Sequence, residues 1–219
     1  MIPETTLIKD FAQLLPGFAD PVFDSQSVFR SALEALSRPG TVQSIGTLTE
    51  ELPPFMPATL ALCLALMDFE TPVWIQPCAA DRHASVAAYL RFHCSCPLVS
   101  APGAARFALV HDASAMPDLD AFGAGSSDYP DRSATLIVQV QHLVPGTGMR
   151  LQGPGIRDAN HLDIAGLPAR FWEQWQANTA MFPCGVDVIF TSGDRLAGLP
   201  RTIHAKHTKH EKEPPCMSR

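Results

Sequence analysis

Four side chains have the types and settings that suit contact with a phosphate or phosphonate group: Arg91, His93, Arg132 and Arg201. A guanidinium group donates two parallel hydrogen bonds to such an anion, and an imidazole donates one. Lysine is absent between Asp10 and Ala205, so an anion bound by the body of the chain has to be met by arginine, histidine or backbone amides. A plain surface or interface role is the alternative for each of the four residues.

Two histidine and cysteine patterns have the residue types of a metal site. Cys94-Ser-Cys96 follows His93, but a structural zinc site needs four ligands, and the other cysteines form no second pair. We therefore expect buried, uncharged thiols and no metal. Histidines also recur at every third position near the C-terminus, a spacing that suits one helical face. They lie among lysines in an apparent tail, for which we expect no specific metal; they are His204, His207 and His210.

Covalent catalysis has little support in the sequence. Cys184 precedes a predicted strand and is interpreted as a small filler, while Ser192 is interpreted as a turn residue. The glycines of Gly123-Ala-Gly-Ser-Ser127 have the wrong spacing for a nucleophile elbow. Gly153-Pro-Gly155 has the composition of an anion-binding nest, but a strand-ending turn is the simpler interpretation because proline lacks a donor. No catalytic constellation is predicted.

Composition excludes several functional classes. The chain has 219 residues, of which 17% are charged and 46% hydrophobic, with a net charge of -6. Its apolar content argues against disorder, and its negative charge against binding of nucleic acid. The missing lysines argue against Schiff-base chemistry, including that of a pyridoxal-phosphate enzyme, and no Gly-Lys-Ser/Thr phosphate loop occurs. A sparsely charged surface of this kind suggests burial against a partner.

Location is expected from simple features. No charged segment followed by an apolar one opens the sequence, so we expect no secretory signal, free thiols and a cytoplasmic protein. The longest apolar run, Pro57 to Met67, is too short to cross a bilayer, so no membrane is expected as a partner.

The predicted elements that position these residues alternate between helices and strands. We predict helices over 21–37, 57–67, 81–92 and 168–178, the first with an apolar face of Phe29, Leu33 and Leu36, the first and third capped by Asp20 and Asp81. Strands are predicted over 41–48, 73–76, 107–110, 134–140, 149–152, 186–190 and 196–199. Hairpin turns are predicted at 145–148 and 192–194.

This pattern predicts a single α/β domain with a mixed β-sheet flanked by helices and at least one antiparallel edge. Residues 1–20 are interpreted as an N-terminal arm, residues 21–203 as the α/β domain and residues 204–219 as a basic, disordered tail.

A set of short motifs, taken in order, resembles one family. They are Phe23-Asp-Ser-Gln-Ser-Val-Phe-Arg30, Arg38-Pro-Gly40, Asp68-Phe-Glu-Thr-Pro-Val-Trp74, Leu90-Arg-Phe-His93, Cys96-Pro-Leu-Val99, Asp128-Tyr-Pro-Asp-Arg-Ser-Ala-Thr-Leu136, Leu151-Gln-Gly-Pro-Gly-Ile156, Phe182-Pro-Cys-Gly-Val-Asp187 and Leu199-Pro-Arg-Thr202. Together, over about residues 20–204, they resemble the PhnH family, a subunit of the bacterial carbon–phosphorus lyase core complex. Outside these motifs lie the Lys/His tail and four of the six cysteines: Cys63, Cys78, Cys94 and Cys216.

The resemblance implies a function and a fold. The core complex takes part in phosphonate catabolism by coupling an alkylphosphonate to the ribose C1 of ATP, with loss of adenine. PhnH-like chains assemble with three other kinds of subunit and also form homodimers. The fold implied is that of a pyridoxal-phosphate transferase without its cofactor, which agrees with the missing lysines.

Two hypotheses from different classes follow. In the first, the chain is a non-autonomous subunit of this transferase complex, without cofactor, in which the arginines contact ATP or alkylphosphonate. In the second, it is a self-sufficient phosphate-ester or nucleotide transferase that uses an anion site lined by the same arginines and His93.

Overall fold

A computed structural model describes residues 15–207 except Thr47 and Thr49. The predicted arm before residue 15 and the predicted tail after residue 207 lie outside this range. Four helices are present in the described chain: α1 (Pro21–Ser37), α2 (Pro57–Leu66), α3 (Ala80–His93) and α4 (Phe171–Ala180). The strands are β1 (Gln43–Ser44), β2 (Val73–Ile75), β3 (Phe107–Val110), β4 (Thr135–Gln139), β5 (His142–Gln152), β6 (Asn160–Ala165), β7 (Asp187–Ser192), β8 (Arg195–Leu199) and β9 (His204–His207).

The main sheet has six strands in the order β1-β8-β7-β4-β3-β2. Four of them, β2, β3, β4 and β7, are parallel and start together, with Val73 beside Phe107, Phe107 beside Thr135 and Thr135 beside Asp187. Strand β8 returns antiparallel to β7, and β1 pairs antiparallel with β8. The predicted mixed sheet with an antiparallel edge is thereby confirmed, as is the central position of the β-branched strand β4.

Alternate residues of the main sheet serve two different cores because successive strand side chains point to opposite faces. Ile137 and Ile189 point to one face, where α1, α2 and α3 pack. Leu136 and Val138 point to the other face, where α4 and a second sheet pack. The molecule is therefore a stack of three layers: helices, the main sheet, and α4 with the second sheet.

The second sheet has the strand order β6-β5-β9, and it corrects two predictions. Strand β5 runs straight through Pro145 and Gly148, where a hairpin turn was predicted, and only its register with β6 shifts there. Strand β9 pairs antiparallel with β5 over residues 204–207, so the predicted tail begins at least four residues too early. In both places tertiary pairing overrides a local composition typical of loops.

Helix α1 begins as predicted but buries a different face. The Asp20 side chain accepts hydrogen bonds from the first-turn amides, which confirms the predicted cap. The buried positions are Val28, Ala32 and Ala35, and of the predicted apolar face Leu36 packs against the core, whereas the prediction is wrong for Phe29 and Leu33, which are half exposed. Small residues are needed on the inner face because a Cβ atom on Gly198 of β8 would lie 2.6 Å from the Ala35 carbonyl oxygen.

The bounds of the other three helices agree with the prediction to within three residues, but the predicted N-cap of α3 does not. Helix α2 is buried along most of its length and α4 presents Phe171 and Trp175 to the core, as expected. Helix α3 has Ala79 at its N-cap and no side-chain cap, so the role predicted for Asp81 is wrong. The strand predicted over 41–48 is reduced to β1. None of the helices that the structure describes is both long and apolar enough to cross a membrane.

Candidate functional site

Arg201 is the centre of the densest polar cluster near the predicted site residues. Its guanidinium group carries five N–H donors. Nε donates to Asp187 Oδ1 at 3.1 Å, and Nη1 donates to the carbonyl oxygens of Pro130 and Pro183, each at 3.2 Å. Nη2 donates short hydrogen bonds to Asp187 Oδ2 and to the Ser133 hydroxyl. Five donors thus meet five protein acceptors, and we name this cluster the Arg201 hub.

The hairpin of β7 and β8 explains why these groups meet. Asp187 is the first residue of β7, and Arg201 follows β8 by two residues. Antiparallel pairing puts Val188 beside Leu199, so the two side chains lie at the same end of the hairpin. The backbone amide of Arg201 also donates to Asp187 Oδ1 at 2.8 Å. Little of the pair is exposed: 13% of the Arg201 side chain and 24% of that of Asp187.

The Arg201 hub leaves no guanidinium donor for an external anion, so the predicted anion-binding role of Arg201 is not supported by its hydrogen bonds. The hub instead joins two loops that precede β4 and β7, around Pro130 and Pro183. Each loop presents an aromatic side chain to the outside, Tyr129 and Phe182, which are 51% and 62% exposed. The Arg201 hub therefore holds the two loops together and fixes the exposed surface that they form.

Arg132 lies in the first of these loops and remains exposed. Its guanidinium carbon stands 4.2 Å from the centre of the Tyr129 ring, within the range of a cation–π contact. Arg201 therefore contacts the loop that carries Arg132, but the two arginines have different roles. Arg132 keeps hydrogen-bond donors on the surface, whereas those of Arg201 are occupied inside.

Arg91 and His93 lie elsewhere, in the last turn of α3. His93 Nε2 lies 3.0 Å from the Leu15 carbonyl oxygen, and its ring packs 4.4 Å from that of Tyr89. Tyr89 in turn donates to the Pro16 carbonyl oxygen. His93 therefore fastens the segment before α1 to α3, while Arg91 is exposed. Within the described chain, no contact joins these two residues to the Arg201 hub.

The cysteines form a buried group on the helical side of the main sheet. Cys63, Cys94 and Cys96 are buried, and the Cys94 thiol points to the Cys63 carbonyl oxygen at 3.6 Å. Burial raises the pKa of Cys94 to about 12 and that of Cys63 well above its usual value. Because the thiolate is the nucleophile, these thiols are unreactive at neutral pH. This agrees with their interpretation as small buried side chains.

The described residues contain no group of three or more histidine, cysteine or acidic side chains able to hold a metal ion. His204 and His207 lie on strand β9 and therefore do not share the helical face that their spacing suggested. His210 lies outside the described range.

The turn at Gly153-Pro-Gly155 packs closely against the protein, since a Cβ atom on Gly155 would stand 2.0 Å from the Ser37 carbonyl oxygen. It therefore packs on the end of α1.

A cleft of about 180 Å³ lies at the carboxyl edge of β3 and β4, where open α/β sheets usually bind ligands. Its lining includes His111, Asp112 and Gln139, which the sequence analysis missed. Gln139 is buried, accepts from the Met56 amide and Thr59 hydroxyl, and donates to Pro54. It fastens the segment before α2 to the sheet. A glutamine directly after three apolar strand residues was the available signal.

A larger cavity of about 570 Å³ lies beside α4 and the second sheet, lined in part by Met149, Trp172 and His207. In the cleft, the Ser114 hydroxyl donates to Asp112 at 2.6 Å and the His111 ring lies 3.3 Å from the Pro77 carbonyl oxygen, so these two side chains are each hydrogen-bonded to another residue. The structure thus distributes the four predicted site residues over two places and assembles no catalytic constellation from them.

Comparisons with known proteins identify related chains. Residues 16–206 match a family model described as bacterial phosphonate metabolism protein (PhnH). A Rhizobium meliloti (strain 1021) protein named alpha-D-ribose 1-methylphosphonate 5-triphosphate synthase subunit PhnH is 38% identical over 203 residues, which is 92% of this chain and 98% of that protein. A Stutzerimonas stutzeri protein, HtxG, provisionally named a C-P lyase subunit protein, is 40% identical over 80 residues, 36% of this chain and 41% of its own length.

Proposed function

The chain belongs to the PhnH family of bacterial phosphonate metabolism proteins, and from this premise we propose that it is a subunit of an alpha-D-ribose 1-methylphosphonate 5-triphosphate synthase. The observation that carries the proposal is the match to the Rhizobium meliloti subunit over 98% of that protein. The reaction implied by the family resemblance couples an alkylphosphonate to the ribose C1 of ATP and releases adenine. This chain contributes to it as part of the assembled complex.

The internal chemistry of the chain supports a non-autonomous role. Arg201, the most deeply set of the four candidate residues, has all five donors occupied by its own protein. The buried thiols are held in their neutral form. A self-sufficient transferase with an arginine-lined anion site, the alternative hypothesis, loses its central residue in this arrangement. Arg91 and Arg132 stay exposed and are the proposed contacts to ATP or alkylphosphonate at a subunit boundary.

Exposed apolar side chains support burial against partners. On α1, Val22 and Phe23 are 74% and 70% exposed, with Phe29 and Leu33 half exposed beside them. Such a patch on a chain with only 17% charged residues is typical of an interaction surface. We propose as partners a second copy of this chain and the other subunits of the core complex, in the cytoplasm.

The finer description of the fold is also a proposal. Four parallel strands with helices on one face are compatible with descent from a pyridoxal-phosphate transferase that has lost its cofactor. Lys206, the single lysine among residues 15–207, lies on the edge strand β9 rather than at the carboxyl edge of the parallel strands. An internal aldimine on this chain has no lysine there to form it.

Co-expression tests the proposal. The chain is produced with the three other kinds of core subunit that the family resemblance implies, and one tagged partner is purified. We expect the untagged chain to co-purify in a fixed ratio, and the complex to consume ATP with methylphosphonate. Phe23→Asp on α1 is expected to weaken assembly, whereas Phe69→Asp, at an equally exposed phenylalanine after α2, serves as its matched control. Turnover by the isolated chain, without co-purification, would favour the self-sufficient transferase.

A further inference from the structure

Three cationic or basic side chains stand directly opposite one another across the second sheet. Arg150 of β5 is paired with His161 of β6 on one side and with Lys206 of β9 on the other. Adjacent strands lie about 4.8 Å apart, so the three residues span roughly 10 Å across the sheet. We name them the cationic row.

The three side chains share the outward face of the second sheet. Their strand neighbours point the other way: Met149 and Leu151 flank Arg150 and are buried, and Leu162 after His161 is buried as well. Ala205 before Lys206 is also buried. Since successive side chains alternate between faces, the cationic row projects away from the core.

Nothing acidic lies within the row to offset its charge. Asp163, the nearest carboxylate on the same face of β6, pairs with His142 at 3.3 Å. Asp158 lies in the turn before β6 and its carbonyl oxygen accepts from Gln152. Gln152 is itself the acceptor for Arg150, and it is paired with His204, a further basic residue on the same face. Like charges placed directly opposite are unfavourable in a sheet.

Three arginines of the described chain form an ion pair within the protein, unlike Arg150. Arg38 pairs with Glu34, Arg170 with Asp118 and Arg201 with Asp187. Arg150 has a neutral amide as its hydrogen-bond partner and two basic neighbours instead. Lys206, the single lysine of the described residues, adds to this local charge rather than offsetting it.

We propose that the cationic row binds a phosphoryl or phosphonyl group of a small-molecule ligand. A dianionic tetrahedral group accepts two hydrogen bonds from a guanidinium fork and one each from an ammonium and an imidazole. The strand spacing places these three donor types side by side, and the ligand's negative charge relieves their mutual repulsion. The choice of phosphate and phosphonate as ligands rests on the proposed function. The geometry of the row is independent of the proposed function.

Binding is tested on the full chain with three probes: inorganic phosphate, methylphosphonate and tripolyphosphate, each measured by titration calorimetry at constant ionic strength. We expect saturable binding, strongest for tripolyphosphate. Arg150→Gln and Lys206→Gln each weaken it about tenfold or more, since each removes a charged hydrogen bond. Arg195→Gln removes an exposed charge at the start of β8 and leaves the affinity unchanged. Equal affinity in all four proteins, or no saturable binding, overturns the proposal.

Thermal unfolding separates a ligand site from an ordinary surface. In chloride, Arg150→Gln and Lys206→Gln raise the unfolding temperature by about 1–2 °C, because like-charge repulsion is removed. Tripolyphosphate raises the unfolding temperature of the wild type and of Arg195→Gln but not of the two row variants. If the row variants unfold at lower temperature in chloride and still respond fully to tripolyphosphate, the row is not the site.

Assembly distinguishes this inference from the proposed function. Wild-type chain that co-purifies with its partners but binds none of the probes overturns the cationic row alone. Chain that binds the probes but joins no partner overturns the proposed function alone. If Arg150→Gln and Lys206→Gln abolish co-purification and the wild type binds no probe, the row is a protein interface, which also overturns the ligand proposal.

Discussion

The Arg201 hub and the cationic row treat the same kind of side chain in opposite ways. In the hub, five donors of one arginine meet five acceptors of the protein, and the charge is paired with Asp187. In the row, Arg150 stands between His161 and Lys206, and its side-chain partner among residues 15–207 is the neutral amide of Gln152. The positive charge of Arg201 is neutralised within the protein and stabilises the fold. The positive charge of Arg150 has no acidic partner in the row and is available to a ligand.

The difference comes from the two kinds of element. The Arg201 hub lies where two loops and a hairpin end converge, so carbonyl oxygens without strand partners point inward and need donors. The cationic row lies in mid-strand, where backbone groups are already paired and side chains project outward. The guanidinium group of Arg201 therefore donates to backbone carbonyl oxygens, whereas that of Arg150 does not need to.

The largest test of this comparison removes the centre of the hub. Arg201→Gln removes the guanidinium donors of two loop carbonyls and leaves Asp187 with the backbone amide of residue 201, and we expect a loss of about 2–4 kcal/mol in the free energy of unfolding. Urea denaturation measures it. Arg201→Lys restores charge but only three donors, so an intermediate loss is expected.

Arg150→Gln provides the contrast, since it makes the same chemical change in the open region. We expect it to alter the free energy of unfolding by less than about 0.5 kcal/mol, in the stabilising direction. If the free energy of unfolding of Arg201→Gln also lies within about 0.5 kcal/mol of the wild-type value, the Arg201 hub does not stabilise the fold. The prediction that Arg201 binds an anion is then favoured again.

The buried thiols report whether damage to the hub is global. Cys63 and Cys94 lie in the core between the helices and the main sheet and are not among the partners of Arg201, and at neutral pH we expect them to be alkylated only when the fold opens. A loss of about 2–4 kcal/mol in Arg201→Gln then accelerates their labelling roughly 30- to 800-fold. Site-resolved mass spectrometry measures the rates. Faster labelling of Cys184 alone, beside the hub, would indicate local opening instead.

The same thiols set a pH dependence. The pKa of Cys94 is raised to about 12 by burial, while an unfolded thiol has its usual pKa of about 8.5. The folded state therefore holds its proton over a range in which the unfolded state releases it. The stabilisation is complete below the unfolded pKa and is lost progressively as the pH rises towards 12. Urea denaturation at pH 7 and pH 10 should show this decline, and Cys94→Ala should reduce it.

A smaller change inside the hub tests whether its donors act separately. Ser133→Ala removes one acceptor of the Arg201 Nη2 group, which retains its bond to Asp187. We expect a loss of about 1 kcal/mol in the free energy of unfolding. Ser126→Ala, in the same loop but outside the hub, is the control. A loss equal to that of Arg201→Gln would mean that the hub fails as a unit.

The smallest effect concerns salt and the open region. Raising sodium chloride from 0.05 to 0.5 M screens exposed like charges, so the cationic row gains about 0.5 kcal/mol. The double variant Arg150→Gln/Lys206→Gln should lose this gain when both proteins are followed by urea denaturation. Identical salt responses would show that the repulsion within the row is negligible.

The main sheet is largely encoded in local pattern. The β-branched run of β4 and the turn at Ser192-Gly-Asp194 predict the central strand and the β7–β8 hairpin, and both are confirmed. The second sheet is not encoded in this way. Pro145 and Gly148 have the composition of a turn, but β5 continues through them because β6 pairs with it on both sides of the register shift. Long-range pairing decides there, and no local signal reports it.

The candidate residues show the same limit. The sequence analysis named Arg201 as an anion-binding candidate, but the five acceptor atoms around its guanidinium group belong to four residues in three separate segments, so these hydrogen bonds could not be predicted from sequence. The exposed Phe29 and Leu33 match the helical period as well as the buried Ala32 and Ala35 do, and periodicity alone favoured the larger side chains. Arg150 and Lys206 are 56 positions apart and become neighbours only through the register of β5 and β9.

The register of β5 has a consequence for synthesis of the chain. This strand pairs with β6 eight residues after it ends, but its other edge waits for β9, after α4 and the β7–β8 hairpin have been made. Lys206 joins Arg150 only in that last step. A nascent or prematurely terminated chain can therefore build the main sheet and close the Arg201 hub while the cationic row is still absent. On this order of events, the row is the feature that distinguishes a finished subunit from an unfinished one.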